Sequence, residues 1–185
     1  MEGARRIASK LAAGAPAQGP MVAPGKYTLR LVAAGTTLEQ PVEVRADPRS
    51  TIAPEALQAN IAFGVALRDA MDRALGYIDA VRAIREQTVD LRRRTESNAA
   101  ASQLRATADT VIARTTAIEA ELHNPGPQVV YDILAGREGG AKLYSQLSPL
   151  YSWAIQSDDA PTQGMLERKA WLDGELARIG AEITA

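Results

Sequence analysis

Few side chains in this sequence stand in a pattern that could do chemistry. His123 is the only histidine, so schemes needing a second imidazole, whether a metal pair or a histidine-rich cluster, have no partner for it. Its place at the end of a helical stretch, just before HNPGPQ, predicts a contact with free helix carbonyls or the negative end of the dipole. Asp158 and Asp159 supply adjacent carboxylates, but Ala160, Pro161 and Thr162 do not continue the oxygen-ligand spacing of a calcium loop, and SDDAPTQ reads as a helix-capping turn. Arg92, Arg93 and Arg94 are the densest positive run. Without interleaved aromatics or a basic surround they read as a solvated helix end rather than a phosphate site. Gly139-Gly140 lacks the flanking pattern of a phosphate cradle, and neither HExxH nor GxSxG occurs. Tyr144, Tyr151, Trp153 and Trp171 could stack on a ligand, but their helical spacing predicts core and bundle rim. No catalytic, cofactor-binding or metal-ligating residue is assigned, and no cofactor is implied.

Composition narrows the partners. The 185 residues carry 21 Lys and Arg against 22 Asp and Glu, a formal charge of −1. No net field steers the chain toward nucleic acid or anionic lipid. Cysteine is absent, which removes disulfides and thiolate chemistry. Lys10 interrupts the apolar run near the amino terminus, so the pattern of a signal peptide is not met. No window approaches the length of a membrane helix. Abundant alanine and arginine suit long helices.

The elements follow from periodicity. In APGKYTLRLV, Tyr27, Leu29 and Leu31 fall on one face of a strand, opposite Lys26, Thr28 and Arg30. In TTLEQPVEVR, Leu38, Gln40, Val42 and Val44 share a face opposite Glu39, Pro41, Glu43 and Arg45. Ala33-Ala34-Gly35-Thr36 supplies the turn. Pro41 cannot donate to a ladder, which puts its strand at an edge or at a break. An isolated two-stranded ribbon is marginal in water, so its apolar face calls for cover by the following helices, by a partner sheet or by another chain.

Pro54 opens a long helix over residues 54–93, with Glu55 in its first turn. Its apolar stripe is Leu57, Ile61, Val65, Met71, Leu75, Ile78, Val81, Ile84 and Leu91. Ser97 or Asn98 caps a second helix whose seam is Ala101, Leu104, Ala108, Val111, Thr115, Ile118 and Leu122. HNPGPQ ends it. QVVYDILAG reads as a short helix closed by Gly136, followed by a linker. Leu143, Leu147, Leu150 and Ala154 mark another helix, with Pro149 predicting a kink or a local break. Met165, Leu172, Leu176, Ile179 and Ile183 mark the last, where Lys169 occupies a seam position with its stem packed and its amine toward water. The expected fold is mainly α: an antiparallel three- to four-helix bundle with an N-terminal β-hairpin. Residues 1–18 form a leading segment, helical or disordered, 19–49 the hairpin and 50–185 the bundle.

In sequence order, GPMVAPGKYTLRLVAAGTTLEQPVEVRADPRS, the helix opened by PEALQA, and KLYSQLSPLYSWAIQSDDAPTQGMLE together resemble the carboxy-terminal region of large bacterial proteins. Those proteins carry sortilin-type or sialidase-type-repeat β-propellers and are often labelled glycosyl hydrolase. The resemblance spans residues 19 to about 183. It implies that the hairpin is the end of an immunoglobulin-like sandwich that follows a propeller, in a parent that is periplasmic or exported. The two helical seams and an apolar hairpin face that lacks cover point, with that resemblance, to a non-catalytic accessory module whose partner is a protein or the cognate propeller. Self-association of the helices as a structural homo-oligomer is the alternative, and a fragment of a carbohydrate-active enzyme is a further one. Any hydrolase chemistry would rest on the propeller, so no catalytic residue is carried over.

Overall fold

In the computed structural model, residues 5, 18–124 and 139–184 are described. The short helix expected around Gly136, and the leading segment apart from Arg5 and Gln18, lie outside them. The described elements are β1 (Gly25–Ala33), β2 (Thr36–Val44), α1 (Pro54–Arg94), a 3-10 turn (Ala99–Ala101), α2 (Ser102–Leu122), α3 (Leu143–Gln156) and α4 (Gln163–Thr184). The mainly helical bundle with an N-terminal hairpin is what the periodicity predicts.

Helix α1 is the spine. It begins at Pro54, whose missing N–H costs nothing at the first helical position, and extends for about 60 Å. No side chain caps it at Ala53, so packing rather than capping stabilises the start. Helices α2 and α3 run antiparallel to it, one after the other along its length. Asn60 near the start of α1 donates to the Ala154 and Ser157 carbonyls at the end of α3, at 2.8 and 2.5 Å. Toward the other end, Arg82 of α1 reaches Glu119 of α2 at 2.7 Å, and Arg92 reaches Asp109 at 2.5 Å. Helix α4 runs parallel to α1 and bridges the two. Arg168 meets Gln146 of α3, Arg178 meets Glu121 of α2, and Arg73 of α1 meets Asp173 at 3.3 Å. Gly180 lets the Tyr77 ring lie against α4, where a Cβ would come within 2.8 Å of its Cζ.

The core forms where these helices converge. Leu67, Met71, Ile78, Leu122, Leu147, Tyr151, Leu172 and Ile179 are fully enclosed. Phe63, Leu67, Ala70 and Ala74 of α1 belong to this core although they lie off the predicted stripe. An α1 flanked by more than one helix buries a wider arc than a single seam provides. Conversely, Ile84 and Leu104 sit on predicted seams but are 40% and 43% exposed, because beyond Ile183 only α1 and α2 among the described helices remain to face each other. Pro149 does not break α3, which continues from Leu143 to Gln156 with the proline on its exposed side.

The described residues that precede the hairpin meet the bundle at separate points. Arg5 donates its backbone N–H to Asp72 at 2.9 Å and pairs with Asp79 at 2.8 Å. Tyr151 donates to the Gln18 carbonyl at 2.9 Å, and buried Pro20 faces Gly64.

The hairpin departs from one expectation. The helices do not cover its apolar face: Leu29, Leu31 and Leu38 are 61%, 59% and 61% exposed. Among the described residues, strands β1 and β2 pair only with each other, in the register Tyr27–Val42, Leu29–Gln40, Leu31–Leu38. The ribbon joins the bundle near Val44, and cover by the described helices, the first of the three foreseen for it, is not found.

Candidate protein-interaction site

Alternation builds the exposed face of the ribbon. With period two, Tyr27, Leu29, Leu31, Leu38 and Val42 stand on one side, and Arg30 and Glu39 face each other on the opposite side, joined at 2.6 Å. The turn has φ of 49° at Ala34 and 75° at Gly35. Positive φ at both central residues of a two-residue loop is the type I′ geometry that matches the twist of a hairpin. Glycine adopts it freely, whereas alanine at the first position is strained. At the lower end, Tyr27 donates its hydroxyl to the Ala23 carbonyl at 2.6 Å, pinning the start of β1.

Where the ribbon joins the bundle there is a cleft of about 500 Å³. Met21, Val22, Val44, Ile52 and Leu57 form its apolar wall, and Arg45, Asp47, Gln58 and Asp158 its polar rim. Arg45 is held by Glu43 at 2.8 Å, and Asp47 by Arg49 at 2.6 Å. The Arg49 guanidinium and backbone N–H hold the Asp47 carboxyl below the usual carboxylate range. These pairs occupy the Arg45 and Asp47 charges, and the apolar wall of the cleft is continuous with the ribbon at Val44.

The other candidate side chains are structural and scattered. Asp158 lines the cleft. Asp159 accepts from the Ala160 N–H at 2.7 Å, and Thr162 Oγ1 accepts from the Met165 N–H at 3.3 Å, so the SDDAPTQ segment is the capping turn of α4. Arg92 pairs with Asp109, and Arg93 and Arg94 both pair with Asp90. Gly139 and Gly140 have positive φ beside Asn124, whose Nδ2 donates to the Gly140 carbonyl at 3.1 Å. Tyr144 and Tyr151 are core, while Trp153 and Trp171 lie at the rim, 59% and 50% exposed, with Arg168 stacked 4.4 Å from the Trp171 ring. Lys169 packs its stem as predicted and pairs its amine with Asp173 at 2.5 Å. Among the described residues no group of three or more His, Cys, Asp or Glu side chains converges as a metal site. No helix among them is long and apolar enough to cross a membrane.

His123 differs from its expectation. Its backbone N–H closes α2 onto the Glu119 carbonyl at 2.8 Å, but neither ring nitrogen has a hydrogen-bond partner among the described residues and the side chain is buried. Burial, reinforced by the Arg82 charge and opposed by Glu119, pushes the imidazole below its ordinary value. Beside it lies a feature absent from the sequence reading. Glu119 is buried and accepts from Arg82 and Arg85, both on α1. Burial pushes its carboxyl up, and the hydrogen bonds and charges of Arg85 and Arg82 outweigh that and hold it below the usual range. The signal was present as two arginines three residues apart on one helix and a glutamate beside a seam position on the next.

No family model matches this chain, and no curated protein or solved structure gives a significant match.

Proposed function

We propose that this protein is a non-catalytic interaction module: a helical bundle that presents an amphipathic β-ribbon to a protein partner. The observation that carries the reading is the uncovered row of Tyr27, Leu29, Leu31 and Leu38. A two-stranded ribbon gains stability when a third strand or a packed layer covers its apolar side, and clustered apolar side chains standing in water mark interaction surfaces. The resemblance to the tail of propeller-bearing proteins supports the same reading, with the ribbon completing an immunoglobulin-like sandwich next to the propeller. The test is calorimetric titration of the intact chain against the sandwich–propeller region of such a protein. Binding lost by at least tenfold on Leu29→Lys supports the reading; no binding at high micromolar concentration refutes it.

Self-association is a second reading. It is favoured by the groove of Val81, Ile84, Val111, Ile118 and Ile183, where α4 ends and α1 and α2 continue. Melting temperatures that rise with protein concentration would support it, and a concentration-independent melt of a monomer would exclude it.

A further inference from the structure

The ribbon's two outer edges are unequal, and this singles out the strand that a partner joins. In a two-residue hairpin the pair flanking the loop, here Ala33–Thr36, is hydrogen-bonded, and bonded and non-bonded pairs alternate from there. The non-bonded pairs are therefore Val32–Thr37, Arg30–Glu39, Thr28–Pro41 and Lys26–Glu43. Their backbone groups point outward, away from the ribbon. On β2 that outward row includes Pro41, which has no N–H and sets its ring where an added strand would approach. This also explains why a proline is tolerated inside the ribbon: the donor it lacks is one the β1–β2 ladder never uses. On β1 the outward row of Lys26, Thr28, Arg30 and Val32 keeps every donor and acceptor.

Charge divides along the same line. On the polar face β1 carries Lys26 and Arg30, and β2 carries Glu39 and Glu43. Glu39 is paired with Arg30 at 2.6 Å, and Glu43 is paired with Arg45 at 2.8 Å. Lys26 has no ion partner among the described residues. Resting on the interaction reading above, we infer that the free edge of β1 receives an extended strand from a different protein. Its apolar residues continue the row of Tyr27, Leu29 and Leu31, and its acidic residues lie beside Lys26 and Arg30. A second copy is the poorer occupant, since antiparallel pairing of two β1 edges brings Lys26 and Arg30 of each copy together, and like charges across strands are destabilising.

The experiment uses the intact ¹⁵N-labelled chain and a synthetic peptide of β1's length alternating valine and glutamate, with a valine–lysine peptide as its counterpart. The expected result is shifts and slowed exchange at the amides of Thr28, Arg30 and Val32, with those of Thr37, Glu39 and Glu43 unchanged. The valine–lysine peptide binds roughly tenfold more weakly, from the two charge pairs reversed at Lys26 and Arg30. Thr28→Pro, the mirror image of Pro41, abolishes binding while leaving the inward ladder intact. A valine–glutamate peptide N-methylated on alternate residues makes the same test on the unaltered chain and also fails to bind. Protection along β2, equal affinity for the two peptides, or full binding by both Thr28→Pro and the N-methylated peptide overturns the inference. If that full binding is still lost on Leu29→Lys, the ribbon docks by its apolar face, so the edge assignment falls and the interaction function stands. A dimer in light scattering that Thr28→Pro dissolves makes a second copy the occupant and overturns the choice of a different protein.

Discussion

Replacing Glu119 by glutamine tests the electrostatics of the bundle most sharply. The side chain is 10% exposed and serves Arg82 and Arg85, which are 35% and 25% exposed. Glutamine keeps the shape and can accept from one arginine, but it turns an N–H toward the other and removes the charge facing both. Breaking a buried ion pair costs about 3–5 kcal/mol. Partial hydration of the two arginines reduces that, giving an expected loss of about 3 kcal/mol at pH 7. For a chain of this length, that lowers the melting temperature by about 6–12 °C, readable by circular dichroism or urea titration. The pH dependence has a defined sign. Because the folded-state carboxyl lies below its unfolded value of about 4.3, the stabilisation is complete above that value and disappears as pH falls through the folded one. The gap between wild type and Glu119→Gln should therefore close in acid. The lone histidine gives a second readout: Glu119 opposes the lowering of His123, so the variant's imidazole proton signal should titrate at still lower pH. A loss under about 0.5 kcal/mol at pH 7, or a gap that persists undiminished at pH 3, would refute the assignment of a buried, charged Glu119.

Other outcomes follow from single sites. His123→Phe should flatten the pH dependence of stability. The folded imidazole is depressed, so wild type loses stability as pH falls from about 6.5 through the folded value, and phenylalanine has no proton to bind; melts at pH 7 and 5 measure this. Ala34→Asn should steady the ribbon by about 1 kcal/mol, since asparagine tolerates the left-handed φ of 49° better than alanine, and slower amide exchange at Leu31 and Leu38 would show it. Gly76→Ala should raise stability by about 1 kcal/mol in a melt, because the position is helical and exposed with open space around it. Leu67→Ala, at the fully buried centre of α1, should cost about 3–5 kcal/mol in urea unfolding.

Local pattern sufficed for what local physics governs. Pro54 placed the start of α1, and the seams of α3 and α4 proved to be their buried faces; Asn98, expected to cap the second helix, caps the 3-10 turn before it instead, and α2 itself starts after Ala101 with no side-chain cap. The period-two rows of Tyr27 to Leu31 and Leu38 to Val44 named the ribbon, its faces and its turn. Those features depend on residues within a few positions of one another, where propensity, capping and alternation act. Tertiary structure decided the rest. Leu67 and Phe63 became core because α3 and α4 meet α1 outside the predicted stripe, and Leu104 stayed half-exposed because no third helix among the described residues reaches it. Glu119 became a buried counterion because α2 lies antiparallel to the turn of α1 that carries Arg82 and Arg85. The exposed ribbon face depends on where the helices do not go. Each of these is a long-range juxtaposition, and no short window of sequence contains both partners of such a contact.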